Sequence, residues 1–264
     1  MSALAGIEIG TVEACWRHPV KSFQGFPVDA IEVDPRGVDL DRAWGVVDVA
    51  SGRLLTAKRT GALLEATATD RSVTLPDGET FAIDDPAVHG ALSAWLGREV
   101  RLLSPAEAGD VAYEMTFDPP NEDAEVFDIP APPGTLLDLT PIHLISRATL
   151  DACAAARPEL DWDVRRFRPN LVLDLAVEPW EEQAWVGRDL ALGTAVLRVT
   201  MPMVRCAMPL RAQPGGLERQ PELFRALSEL NEAHPNHLGM CCDVVEPGRI
   251  AVGDPVTLAD GPAA

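Results

Sequence analysis

The apolar residues of the first hundred positions fall in short runs broken by turn formers. The pattern predicts strands over Thr11–Trp16, Val28–Val33, Trp44–Val49, Leu63–Thr69 and Val73–Leu75, all rich in β-branched or large apolar side chains. Asp77-Gly78 between Ser72–Leu75 and Thr80–Ile83 is a hairpin signal, and Ser51-Gly52 marks a weaker turn. Leu92, Trp95 and Leu96 at helical spacing predict one helix over Val88–Leu96.

The second half reads differently. Ser146 is placed to cap a helix over Arg147–Ala156, with Leu150, Cys153 and Ala154 on one face and Pro158 beyond its end. Pro221 suits the first turn of a helix over Pro221–Glu232, with a stripe of Leu223, Phe224, Leu227 and Leu230. Strands are expected at Ile142–Ile145, Leu171–Leu175, Ala195–Thr200, Met240–Val245 and Val256–Leu258. Between the halves, Pro105–Gly134 is rich in Pro, Asp and Glu and has no Lys or Arg. It reads first as a solvated connection, with a docking face for a basic partner or a lid over a site as the functional alternatives. The fold class is therefore mainly β with a few helices (α+β), in two parts: residues 1–105, an acidic connection over 106–134, and 135–264.

Composition narrows the function. A chain of 264 residues with 47% apolar residues buries a proper core and has no run approaching a membrane helix. A formal net charge of −19 excludes nucleic acid as partner and disfavours anionic membranes. The opening MSALAGIEIG has neither the basic nor the apolar region of a secretory signal, so a cytoplasmic location is expected. Five cysteines without CxxC spacing argue against a disulfide framework or zinc site; adjacent Cys241 and Cys242 read first as strand neighbours with one thiol in the core, with a redox pair as the alternative. The five histidines make no convincing metal set, and His234 and His237 read as ordinary surface residues.

Four short clusters carry chemistry. In His18-Pro19-Val20-Lys21-Ser22, an ammonium and a hydroxyl leave a strand together, a combination suited to phosphate. Asp39-Leu40-Asp41-Arg42-Ala43-Trp44 opens the next long strand. Arg165-Arg166-Phe167-Arg168-Pro169-Asn170 precedes an apolar strand, and its Asn both donates to and accepts from a heterocycle's edge. Met203-Val204-Arg205-Cys206-Ala207-Met208-Pro209 sets a thiol beside a guanidinium, the setting that favours a metal-binding thiolate. Singly these are weak, since an isolated Arg is usually solvated and a lone Cys usually lies in a core.

In order, HPVKSFQG, DLDRAWGVVD with LLTAKR, FRPNLVLD, and VRCAMPL with GRIAVGDPVTL resemble the MOSC family and its associated N-terminal β-barrel domain. The arrangement is similar to the mitochondrial amidoxime-reducing components and their bacterial relatives, over nearly the whole chain. The resemblance implies an N-terminal β-barrel-like domain followed by a MOSC β-barrel domain, with a molybdenum–molybdopterin cofactor between them. By matching, Lys21, Ser22 and Arg42 would grip its phosphate and polar edge, Arg168 and Asn170 would hold it from the second domain, and Cys206 would ligate the metal. Arg205 and Thr140 complete the expected cofactor-binding set. The implied activity is reduction of N-hydroxylated small molecules. The chain stops at Ala264 without a ferredoxin-type cysteine motif, so electrons are expected from a separate ferredoxin, flavodoxin or cytochrome. The alternative is a non-enzymatic cofactor or sulfur carrier using Cys206. Pyridoxal phosphate is not expected. Val204 stands where eukaryotic members carry serine, and the stretch after Cys206 also departs from theirs.

Overall fold

The computed structural model describes residues 5–121, 123–259 and 261. Residues 1–4, the start of the stretch that lacks a signal pattern, and the last residues of the chain lie outside them. The protein is mostly strands, with helices over Ala87–Leu96, Pro105–Ala108, Arg147–Ala156 and Glu222–Leu230. No helix among the described residues is long and apolar enough to cross a membrane.

Seven strands close a barrel. Around it run Leu171–Leu175, Ile142–Ser146, His237–Glu246, Ala195–Val204, Asp189–Leu192, Pro255–Ala259 and Gly6–Arg17, which returns to Leu171–Leu175. Neighbours are antiparallel except Ile142–Ser146 beside Leu171–Leu175, where the helix Arg147–Ala156 supplies the crossover that a parallel pair needs. The closing strand comes from the N-terminal end of the chain. Gly6–Arg17 pairs in turn with Pro255–Ala259, Leu171–Leu175 and Phe26–Val28. It changes neighbours near Gly10, whose φ is +155° and where an added Cβ would lie 2.1 Å from Asp174 O. The strands Ala30–Asp34 and Gly248–Ala251 also join the two ends of the chain.

The barrel interior is apolar, including Val12, Leu144, Leu173, Leu197, Met240 and Val256. A second core gathers Val20, Phe23, Val46, Leu63, Leu64, Val88, Leu92 and Leu102 from the first hundred residues, with Met208 of the second half. Each core supplies its own burial free energy, about 1.5–3 kcal/mol per fully enclosed large side chain.

Two expectations are corrected. Leu63–Thr69 is a 3-10 turn over Gly61–Glu65 followed by the two-residue strand Thr67–Ala68. A short apolar run does not by itself distinguish strand from helix. The acidic stretch is folded: Ala112–Met115 and Phe127–Pro130 form a hairpin, and Val111, Tyr113 and Ala131 pack with Val47, Leu54 and Leu136. Its alternating apolar residues find a core of their own beneath the exposed carboxylates.

Candidate functional site

The local backbone explains how the N-terminal clusters meet. Lys21 N donates to Trp44 O (2.8 Å), Arg42 N to His18 O (2.7 Å) and Trp44 N to Pro19 O (3.0 Å), laying residues 18–21 beside 42–44. Asp41 Oδ1 accepts from His18 N at 2.7 Å, while its other oxygen pairs with Arg42. Ser22 turns away with φ 71°, and its Oγ accepts from Ala57 N at 3.0 Å, which brings Lys58 alongside.

The second half is held as firmly. Asn170 N donates to His143 O (2.8 Å), and Asn170 Oδ1 accepts from His143 N (3.2 Å). The strand Ala195–Val204 shifts register against His237–Glu246 at three places, the last between Pro202 and Val204. Such irregularities bend a strand and re-aim the side chains beyond it, here Arg205 and Cys206. Arg166 is fully buried and ties down the next loop, donating to Pro209 O (3.1 Å), Arg211 O (3.2 Å) and Glu218 O (2.8 Å).

The two halves enclose a cavity of about 240 Å³, lined by all eight expected residues: Lys21, Ser22, Arg42, Thr140, Arg168, Asn170, Arg205 and Cys206. Lys58, Tyr113, Asp138, His143 and Arg166 also line it. Thus six cations face one carboxylate in a chain whose net charge is −19. Such a field draws an anion into a cavity of an otherwise acidic protein. Cys206 is half-buried, whereas the other four cysteines are buried, and all five are free thiols. Cys242 belongs to the barrel core; Cys241 turns its thiol to Met203 Sδ, 3.7 Å away.

Burial and charge set the protonation states. Lys21 Nζ donates to Leu136 O and Asp138 Oδ1, both at 2.6 Å. Desolvation still brings its pKa down to about 8, although Asp138 opposes the shift. Lys58, 2.8 Å from Asp138, is also desolvated, but Asp138, Cys206 and Tyr113 outweigh that and move it upward. Asp138 itself is desolvated, yet the two lysines hold its carboxyl far below the usual range. Arg168 is lowered to about 9 by burial and by Arg42, and Arg205 is lowered chiefly by burial.

His18 and His143 are driven well below 6.5 by burial, with the neighbouring arginines adding to the effect. A neutral His143 ring suits its contacts: Arg205 Nη1 donates to Nε2 at 3.3 Å, which leaves the proton on Nδ1. Gly239 makes room for it, since an added Cβ would lie 2.5 Å from His143 Nε2.

Several cavity-lining groups have capacity to spare. Arg168 Nη1 donates to Phe23 O at 2.6 Å, but its buried Nη2 has no partner; neither do buried Asn170 Nδ2 and Arg205 Nε. Ser22, Arg42 and Arg168 have left-handed backbones, with φ of 71°, 48° and 54°. Unpaired buried donors and strained residues are the marks of a site shaped for something else than its own stability. Thr140 differs. Its hydroxyl bonds Ile142 O (3.0 Å) and Cys242 O (3.1 Å) and accepts from Cys242 N (3.2 Å), so it ties the cavity edge to the barrel.

Sequence reasoning gave no role to Lys58, Tyr113, Asp138 or His143. A usable signal existed for two of them: Lys58 is one of only two lysines, and Tyr113 is the only tyrosine.

Comparison with known proteins gives a consistent family. The MOSC domain profile matches residues 134–257, and that of the MOSC N-terminal beta barrel domain matches residues 9–93. Human mitochondrial amidoxime-reducing component 1 is 27% identical, over 95% of this chain and 83% of its own. Rat mitochondrial amidoxime reducing component 2 is 25% identical, over 94% of this chain and 83% of its own. Among solved structures, the YUAD protein of Bacillus subtilis aligns with a TM-score of 0.48 and 11% identity over 94% of each chain.

Proposed function

The chain belongs to the MOSC family, with a MOSC N-terminal β-barrel domain ahead of its MOSC domain, and we propose that it is a molybdenum-cofactor oxidoreductase acting on N-hydroxylated small molecules. The cavity carries this reading: one half-buried thiol faces a concentration of cations, and four lining residues, Arg166, Arg168, Asn170 and Arg205, keep an unpaired buried donor. The names of the amidoxime-reducing relatives support the reaction class.

The residues fit such a cofactor. Lys21, Ser22 and Arg42 form the phosphate end. Arg168 Nη2 and Asn170 Nδ2 supply unmet donors for a pterin's carbonyl and ring nitrogens, and Arg205 Nε lies on the same lining. Among the described residues no group of three or more His, Cys, Asp or Glu is placed to hold a metal. Cys206, the half-buried thiol on the lining, would be the chain's own ligand, with the cofactor's sulfurs completing the soft donor set that molybdenum takes. Bound there, the group supplies a two-electron couple.

The overall change is R–NH–OH + 2e⁻ + 2H⁺ → R–NH₂ + H₂O. The electrons come from a separate redox protein. The chain's contribution is to bind the cofactor, orient it by fixed donors, and keep the cavity wall dry with Met115, Ile129, Leu137 and Met203. Protein purified from a host that makes the cofactor should contain close to one molybdenum and one pterin per chain, by metal analysis and pterin fluorescence. Pterin-free protein from such a host sinks the reading.

A further inference from the structure

The chain has two lysines and one tyrosine, and the fold brings all three to one residue, Asp138: the lysines to its carboxylate and the tyrosine to its backbone carbonyl. Lys21 Nζ meets Asp138 Oδ1 at 2.6 Å, and Lys58 Nζ meets Oδ2 at 2.8 Å, one ammonium per oxygen. The Tyr113 ring packs against both: Lys58 Nζ is 3.8 Å and Lys21 Nζ 5.1 Å from its centroid, and its hydroxyl donates to Asp138 O at 3.3 Å. The lysine side chains are 6% and 4% exposed, against 39% for Asp138. Asp138 is therefore the more exposed partner, at the cavity surface, although burial still desolvates its carboxyl, and both ammonium groups are enclosed.

This geometry bears on how the cavity receives an anion. A carboxylate paired with Lys21 alone would cancel that charge, keep its hydrogen bonds and repel an incoming anion. Shared between two lysines, the carboxylate is overcompensated, and Lys21 still has an N–H beyond the two it donates to Leu136 O and Asp138. We propose that Lys58 is a positioning residue: by taking one oxygen of Asp138 it leaves Lys21 able to hold an anionic group of phosphate type in the cavity. Lys58 acts through Asp138 and not by touching the anion. Anion binding stands on the cavity's geometry; the identity of the anion as a cofactor phosphate rests on the functional reading above.

Two measurements on the full chain test this. One is molybdenum and pterin per chain after gel filtration, for protein made in a host that synthesises the cofactor. The other is calorimetric titration with inorganic pyrophosphate, for protein made in a host that does not. Lys58→Met should lower cofactor retention several-fold and weaken pyrophosphate about tenfold, the scale of one unit of positive charge lost roughly 10 Å from an anion in a partly screened site. Lys58→Met combined with Asp138→Asn removes the carboxylate together with its partner. It should recover pyrophosphate affinity to within about threefold of the wild type, which lost packing alone would not do. Thermal unfolding of both variants confirms that they are folded. The inference is overturned if the wild type binds no pyrophosphate, if Lys58→Met leaves its affinity unchanged, or if the double variant stays as weak as the single one. Wild-type protein without pterin overturns the functional reading alone, and the pyrophosphate arm then decides the role of Lys58.

Discussion

The barrel interior and the cavity beside it are both buried, yet they are built on opposite principles. Inside the barrel, Val12, Leu144, Leu173, Leu197 and Met240 are almost fully enclosed, and the cluster contains no charged group. The cavity wall gathers six cations, a carboxylate and three residues with left-handed backbone. Such conformations cost about 1–3 kcal/mol each, and a buried polar group without a partner costs a similar amount. The barrel contributes stability that the cavity consumes. The difference shows in Arg166 and Arg168, two residues apart. Both line the cavity and both keep one unpaired nitrogen, but Arg166 donates from its two Nη atoms to three backbone oxygens and fixes the loop after Cys206, whereas Arg168 leaves Nη2 unpaired.

If that division holds, the largest effect on function should leave the fold almost untouched. Cys206→Ala removes the one half-buried thiol. Turnover should drop at least about 100-fold, beyond what loss of an outer-shell contact to a metal ligand causes. Some pterin should stay bound, and the melting temperature of cofactor-free protein should move by no more than about 2 °C, since Cys206 is only half-buried at the edge of the second core and alanine removes a single atom there. A melting temperature that collapses with turnover would erase the distinction between the two regions.

The converse variant lies in the barrel. Leu197 is fully buried within the apolar cluster, and Leu197→Ala should destabilise by about 3 kcal/mol, the usual cost of a cavity left by leucine. Urea unfolding measures it. Molybdenum and pterin per folded chain should stay at the wild-type level, because nothing on the cavity wall has changed.

These two variants also show what was readable before the fold was known. The helix Arg147–Ala156 was legible to its end residues from its apolar face and the following proline; Ser146 does stand at its N-cap position, but its hydroxyl makes no capping bond and has no partner. Six of the seven barrel strands were legible individually from local apolar runs; Asp189–Leu192 was too short and mixed to stand out. Their closure was not legible, because it needs Gly6–Arg17 to pair with residues more than 150 positions away. At the site, eight residues could be named from short motifs because each motif is contiguous. Lys58, Tyr113 and Asp138 lie in three separate segments, and only tertiary packing brings them together. The hairpin carrying Tyr113 was obscured by its acidic surface, which hid the alternation of Val111, Tyr113 and Met115 inward.

A smaller effect concerns pH. Burial lowers Lys21 from 10.5 to about 8. Below pH 8 both folded and unfolded chains hold the proton, and the cost of enclosing the ammonium is fully present. Between about 8 and 10.5 the folded protein releases a proton that the unfolded chain retains. Stability attributable to Lys21 therefore rises with pH across that window, with a limiting slope of about 1.4 kcal/mol per pH unit. Unfolding free energies of wild type and Lys21→Met, taken at pH 7 and pH 9.5, should shift in favour of the wild type at the higher pH. A constant difference would mean that Asp138 fully compensates the burial of Lys21.

The smallest effect isolates environment from geometry. Arg225 and Glu229, one helical turn apart, form an ion pair of 2.7 Å, almost as short as the 2.6 Å between Lys21 and Asp138. The Arg225 side chain is 85% exposed, whereas that of Lys21 is 6% exposed. In water the attraction is screened, and holding two long side chains together offsets most of what remains. Arg225→Ala should change the melting temperature by less than about 1 °C and pyrophosphate affinity not at all, at any salt concentration. Lys21→Met should weaken pyrophosphate binding at least about tenfold, since it removes the ammonium that would hold the anion. Two pairs of nearly equal length would then differ because one lies in solvent and the other in the wall of the cavity.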